Sequence, residues 1–218
     1  MKNKYKQFHG NYREDEWIVK NIINLPDDGI FVDVGAADAI KRSNTYHFEK
    51  NGWKGLCIEG DPFFFESNSD EEGENYPLSK YRGHAINAVI SENDGELEFM
   101  SRGRHSLSQV WNENHWPSSE HTKVPCFRLD TILKKYDWIE GIDLLDISTR
   151  GHDFEVWNSF DYKKYNPKII ITELDRRGPS GSTIRDDRVM KFLTNISYRL
   201  VKQTEADLIF IHPDMELK

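Results

Sequence analysis

Ile30-Phe31-Val32-Asp33-Val34-Gly35-Ala36-Ala37-Asp38-Ala39 decides how this chain folds. Its first five residues are short-range apolar and β-branched, the composition of a strand buried on both faces of a parallel sheet. The strand runs straight into Gly35 and a turn of small residues. In an open α/β sheet the ligand crevice lies beyond the carboxyl ends of the strands, so this turn is where a ligand would meet the backbone. Gly35 has no Cβ to collide with such a ligand, and Ala36 and Ala37 keep the approach open. A single glycine after a strand also fits an ordinary packing turn. The segment that strengthens the nucleotide reading is Gly55-Leu56-Cys57-Ile58-Glu59, a second buried strand that ends on a carboxylate 24 residues after Gly35. That is close to the roughly 20-residue spacing of a ribose-binding acid. Neighbouring parallel strands would bring both ends to one sheet edge, where Glu59 could accept from both ribose hydroxyls.

The pattern on either side alternates helix and strand. Residues 14–24 place Trp17, Ile18, Ile22 and Leu25 at helical spacing, with Glu14, Asp15 and Glu16 at the positive helix end, and Pro26 and Gly29 stop it. A helix is predicted over 44–51, ended by Gly52, and a third strand over 84–90. Asn93-Asp94-Gly95 is a turn signal leading into 96–100 as the second arm of a hairpin. An edge strand over 123–128 precedes a helix begun by Asp130 as N-cap. Strands over 142–147 and 168–173 flank a helix at 152–160. A helix near 185–195 leads to the closing strands 198–202 and 207–211, joined by a short polar turn. Such alternation predicts an α/β fold with a mainly parallel sheet and helices on both faces.

The 218 residues fit a single domain spanning 1–218, with 1–28 as an N-terminal helical segment and 101–122 as a loop that covers or binds an acceptor. Hydrophobic residues make up 37% of the chain, enough for a core, and 30% of it is charged. A net charge of −8 argues against a nucleic-acid partner, which needs clustered Lys and Arg. Cys57 and Cys126 sit in apolar strand-like surroundings and are read as core thiols rather than as a disulfide or metal ligands. The polar N-terminus and the absence of any apolar run of about eighteen residues point to a cytoplasmic protein without a membrane span.

Several runs together resemble a known family. They are Phe31-Val32-Asp33-Val34-Gly35-Ala36-Ala37-Asp38 with Ser43-Asn44-Thr45, Glu49-Lys50-Asn51-Gly52-Trp53-Lys54-Gly55, and Cys57-Ile58-Glu59. Later come Ala85-Ile86-Asn87-Ala88-Val89-Ile90 with Asp94-Gly95, Ile142-Asp143-Leu144-Leu145 with Gly151-His152, and Phe160-Asp161 through Pro167 to Glu173. In these the chain resembles the FkbM family of S-adenosylmethionine-dependent methyltransferases, from about residue 11 to about 211. The resemblance implies a Rossmann-like class I methyltransferase fold, with a mainly parallel seven-stranded sheet closed by a C-terminal antiparallel hairpin. It implies S-adenosylmethionine as cofactor and an enzyme that methylates a hydroxyl of a glycan or other small polyhydroxylated acceptor. On the same ground Asp33, Gly35, Ala36 and Asp38 would line the methionine end of the cofactor, Glu59 its ribose, and Asn87 and Ala88 its adenine. Ser43, Asn44 and Thr45 would lie near the carboxylate, although Ser43 reads equally well as a helix cap.

The chain departs from that family twice. Ala39 stands where a glycine is usual, and Ser148-Thr149-Arg150-Gly151 replaces an Asp, a variable residue, a Glu and a Gly after the fourth strand. Methyl transfer to an alcohol benefits from a base for the hydroxyl proton. His152 and Asp153 follow directly, and Asp146 lies two residues before Ser148 on the same strand face, so these three are the catalytic candidates. Glu173 ends the next strand and would meet Asp146, forming a hydrogen-bonded rim rather than a cation site; no metal is expected. Arg104, His105, Trp111 and Trp116 in the polar aromatic loop, with Glu173, form the expected acceptor surface, because Trp stacks on sugars and Arg forks onto hydroxyls or carboxylates. Two rival readings remain open. One is a family relative that binds cofactor without turnover; the other is a nicotinamide-dependent oxidoreductase, which shares the glycine turn and the ribose acid.

Overall fold

In the computed structural model, which describes residues 7–66, 76–101, 108–111, 121–177 and 183–218, the predicted alternation becomes a layered α/β arrangement. The first half contains α1 (Glu14–Asn21), β1 (Ile30–Val34), α2 (Tyr46–Lys50), β2 (Lys54–Glu59), α3 (Pro62–Glu66) and α4 (Leu78–Tyr81). Five strands and a helix follow: β3 (Ala85–Asn87), β4 (Val89–Ile90), β5 (Gly95–Met100), β6 (Gln109–Val110), β7 (Thr122–Phe127) and α5 (Leu129–Leu133). Next are β8 (Leu144–Ile147), α6 (Asp153–Trp157), α7 (Tyr162–Tyr165), β9 (Ile169–Glu173), β10 (Asp175–Arg177) and β11 (Thr183–Arg185). The chain ends with α8 (Arg188–Asn195), β12 (Arg199–Gln203) and β13 (Asp207–Ile211).

Among the described residues the main sheet has seven strands in the order β12-β13-β9-β8-β1-β2-β3. β1 pairs in parallel with β2 and with β8, which explains why Phe31, Val32, Asp33 and Val34 are all buried. β13 runs antiparallel to both β9 and β12, as the closing hairpin predicted. Side chains alternate across the sheet with period two. Val32, Val34, Leu145 and Ile170 join one core with α5, α6 and α8. Phe31, Cys57, Leu144 and Ile171 join the other, beneath α1, α2 and α4. Cys57 and Cys126 are buried free thiols.

A second sheet, in the order β4-β7-β5-β6, departs from the expected pattern. The strand expected over 84–90 divides at Ala88, whose N–H donates to the Glu59 carbonyl at 3.0 Å before the chain crosses from one sheet to the other. β4 then pairs with β7, and so does β5, so 96–100 is not the arm of a local hairpin. β7 lies between β4 and β5 and is internal, where an edge strand was expected. Asp130 is not the cap of α5; Arg128 holds that place and Asp130 sits in the first turn, accepting from the Asp161 N–H at 3.2 Å. Among the described residues no helix is long and apolar enough to cross a membrane.

Candidate active site

β1 is central, its successors along the chain lie on one side of it, and β8 lies on the other, so the strand order reverses at its carboxyl end. A crevice opens at such a point. Here it is a cleft of about 210 Å³. Gly35 enters it with φ 85°, and a Cβ there would stand 2.2 Å from the Ser148 carbonyl oxygen. Glycine is therefore required as much by the turn after β8 as by any ligand. The N–H groups of Gly35 and Ala36 donate to the Ile58 carbonyl at 2.9 and 3.2 Å, locking the turn onto β2.

Glu59 lines the cleft and is 7% exposed. Its Oε2 accepts from the Ala37 N–H at 2.8 Å and its Oε1 from the Asp61 N–H at 2.7 Å. Burial pushes its carboxyl up to about 7, against the pull of those two backbone bonds. Asn87 turns away from the cleft and donates from Nδ2 to the Glu59 carbonyl at 2.8 Å, whereas Ala88 lines it.

On the β1 side, Asp33, Ala36, Ser43 and Asn44 also face the cleft. Thr45 and Asp38 do not line it. The Thr45 hydroxyl donates to Asp33 Oδ2 and accepts from Arg82 Nη2 at 2.8 Å. Asp38 accepts from the N–H groups of Ile40, Lys41 and Tyr76, and so shapes the turn. Ser43 Oγ accepts from the Tyr46 N–H at 3.1 Å, a cap for α2. Arg82, buried and unremarked in the sequence, ties this region together. It donates to the Ala39 carbonyl, to Ser43 Oγ and to Glu49 as well as to Thr45. A lone arginine after a short helix offers no periodic signal, and only the buried surroundings reveal its place. Burial raises the Asp33 carboxyl, with Arg82 opposing.

The β8, β9 and β13 ends contribute the acids. Asp146 is the in-register neighbour of Asp33, and burial together with Asp33 and Asp207 pushes its carboxyl well above the usual carboxylate range. A hydrogen bond from the Asn44 side chain works the other way. Asp207 is pushed up to about 8 by burial and by Glu14. Both line the cleft, as do Glu173, Ser148, Arg150 and His152. Glu173 Oε2 accepts from the Arg150 N–H at 2.8 Å, and the Arg150 guanidinium lies 3.9 Å from Oε1.

Of the catalytic candidates, Asp153 lies beneath the cleft rather than in it. It accepts from the N–H and hydroxyl of Thr149, from the Thr172 hydroxyl and from the Glu173 N–H, bracing the β8 turn against β9. Burial and Glu173 push it up to about 7. His152 holds its Nε2 at 3.0 Å from Ser91 Oγ and its Nδ1 at 3.8 Å from Glu155. Burial lowers its pKa, with Glu155 and Glu92 opposing.

Of the expected acceptor surface, Trp111 stacks on His121 with centroids 4.0 Å apart and does not line the cleft. Arg104, His105 and Trp116 lie outside the described residues. Ser108, Gln109 and Val110 form part of the wall instead. Their two-residue strand is too short for any sequence period to disclose. Among the described residues no three His, Cys, Asp or Glu side chains gather as a metal site.

Counted along the chain, the seven strands of the main sheet run 3-2-1-4-5-7-6 with the seventh reversed, the arrangement of a Rossmann-like class I methyltransferase. Residues 33–200 match the methyltransferase FkbM domain, and the chain belongs to that family. The fold is similar to that of methyltransferase FkbM from Methylobacillus flagellatus KT, with a TM-score of 0.52 and 11% identity. That match covers 86% of this chain and 44% of the other, so the chain spans less than half the length of that protein. No curated protein matches the chain.

Proposed function

We propose that this methyltransferase-family chain works as one domain, uses S-adenosylmethionine, and methylates a hydroxyl of a glycan or other small polyhydroxylated acceptor. The observation that carries the reading is the junction of the Gly35 turn with Glu59, joined through the Ala37 N–H at 2.8 Å and opening on one cleft. Its residues fit such a cofactor. Glu59 keeps acceptor capacity beyond its two backbone bonds, as two ribose hydroxyls require. Asn44 Oδ1 is buried in the cleft wall with no hydrogen-bond partner among the described residues, an acceptor suited to the α-ammonium of the methionine end. When bound, S-adenosylmethionine supplies an electrophilic methyl on a sulfonium.

The chain's own part is to hold the acceptor and receive its proton. His152 is the preferred base, because it lines the cleft and burial lowers its pKa, which favours the imidazole form that accepts a proton. Asp146 is crowded by Asp33 and accepts from Ser148 Oγ at 3.4 Å, and Asp153 is committed to its bracket. Gln109 and Arg150 give the rim amide and guanidinium groups of the kind that bind a polyhydroxylated molecule.

Titration with S-adenosylhomocysteine tests the reading. One-site binding by the wild-type chain, with no heat from NADH, is the expected result. Binding of NADH alone would replace it by the oxidoreductase reading. Arg150, paired with Glu173 where the family carries an acid, favours one second reading, a cofactor-binding module without turnover. Tight binding with no S-adenosylhomocysteine formed from S-adenosylmethionine across a panel of glycans is the result that would support it.

A further inference from the structure

Asp61 is fully buried two residues beyond Glu59. Its N–H donates to Glu59 Oε1 at 2.7 Å, and its Oδ1 accepts from the Phe63 N–H at 2.9 Å, as the start of α3 requires. The same carboxylate does more than begin a helix. Oδ1 also accepts from Ser101 Oγ at 2.8 Å, and Oδ2 accepts from Ser108 Oγ. Ser101 immediately follows β5 and Ser108 immediately precedes β6, so one acid between β2 and α3 holds a residue at the end of β5 and another at the start of β6. Ser108, Gln109, Val110 and Phe99 line the same cleft as Glu59. A buried carboxylate is costly unless its oxygens are satisfied, and here the satisfaction comes from the wall that faces the ligand.

We infer that Asp61 is a positioning residue: it links the ribose acid Glu59 to the wall carrying Ser108, and thereby sets the width of the nucleoside end of the cleft. The inference rests on the S-adenosylmethionine reading of that cleft. Removing the tether leaves Glu59 and the start of α3 in place but frees the wall.

The test uses the full chain with the paired substitutions Ser101→Ala and Ser108→Ala, compared with Ser101→Thr and Ser108→Thr, which keep both hydroxyls. S-adenosylhomocysteine affinity is expected to fall about tenfold in the alanine pair, because the freed wall must be ordered again on binding, and to stay near wild type in the threonine pair. Amide exchange in residues 99–101 and 108–110 is expected to slow on ligand binding in the wild type and the threonine pair, but not in the alanine pair. A lower unfolding midpoint in the alanine pair with unchanged affinity and unchanged ligand protection would overturn the inference, since that is what a merely structural tether gives. If the wild type does not bind S-adenosylhomocysteine, the donor reading fails instead. The positioning role falls with it, and faster exchange in the free alanine pair would then mark Asp61 as a structural tether only.

Discussion

Glu59 concentrates the argument at the scale of single residues. Two backbone N–H groups fix its carboxylate, so its direction is set before any ligand arrives. Glu59→Ala is expected to weaken S-adenosylhomocysteine binding by roughly 10- to 100-fold, as for loss of hydrogen bonds to a charged group; unchanged affinity by calorimetry would move the ribose elsewhere. Arg82 is a different kind of residue. Its guanidinium spans Ala39, Ser43, Thr45 and Glu49 from inside the protein, and Arg82→Met would leave Glu49 without that ion pair. A cost of about 3–5 kcal/mol is expected in chemical denaturation, and Lys, which lacks the planar fork, should not restore it. His152 should reveal itself through pH. Because burial holds its pKa below the ordinary 6.5, the acid limb of methyl transfer is expected to have its midpoint below pH 6.5 and to be absent in His152→Gln. A limb at or above 6.5 that survives the substitution would exclude it as the base.

At the scale of elements, the parts legible in the sequence are those whose burial repeats along the chain. β1 and β2 are apolar runs buried on both faces, and the 24-residue step from Gly35 to Glu59 follows from two adjacent parallel strands with one crossover between them. β13 was readable for the same reason, whereas β12 is mostly exposed and was legible only as its partner across a short polar turn. The second sheet was not, because β3 and β4 follow each other within residues 85–90 with no Gly or Pro between them, and only the Ala88 N–H, bonding to Glu59, separates them. Nor does sequence spacing disclose Asp153 as a bracket or Arg82 as a hub, since their partners are distant in sequence and their roles come from burial. The packing of the β8 turn on Gly35 gives an element-level prediction. Gly35→Ala combines a left-handed φ with a Cβ 2.2 Å from the Ser148 carbonyl. It should cost about 1–3 kcal/mol and lower the midpoint of thermal unfolding by several degrees; an unchanged midpoint would mean that the two turns do not pack as described.

At the scale of the whole molecule, acids gathered at one end of the sheet make stability depend on pH. Asp207 is raised to about 8, and Glu59 and Asp153 to about 7, all chiefly by burial, against about 4 to 4.5 in an unfolded chain. The folded state therefore holds more protons than the unfolded state between about pH 4 and pH 8, and loses stability as pH rises through that window. His152, with its lowered pKa, works in the opposite direction as a single group below pH 6.5. Thermal unfolding is expected at lower temperature at pH 8 than at pH 5. Asp207→Asn should raise the midpoint more at pH 8 than at pH 5, and an equal effect at both would show that Asp207 ionises normally.

The whole account depends on a nucleoside seated where β1 and β2 end side by side. A crystal structure of the chain with S-adenosylhomocysteine tests that directly. The predicted result is ribose hydroxyls hydrogen-bonded to the Glu59 carboxylate, with the Gly35 turn against the ligand. Ligand density on another face, with the space between Gly35 and Glu59 filled only by water, would contradict it.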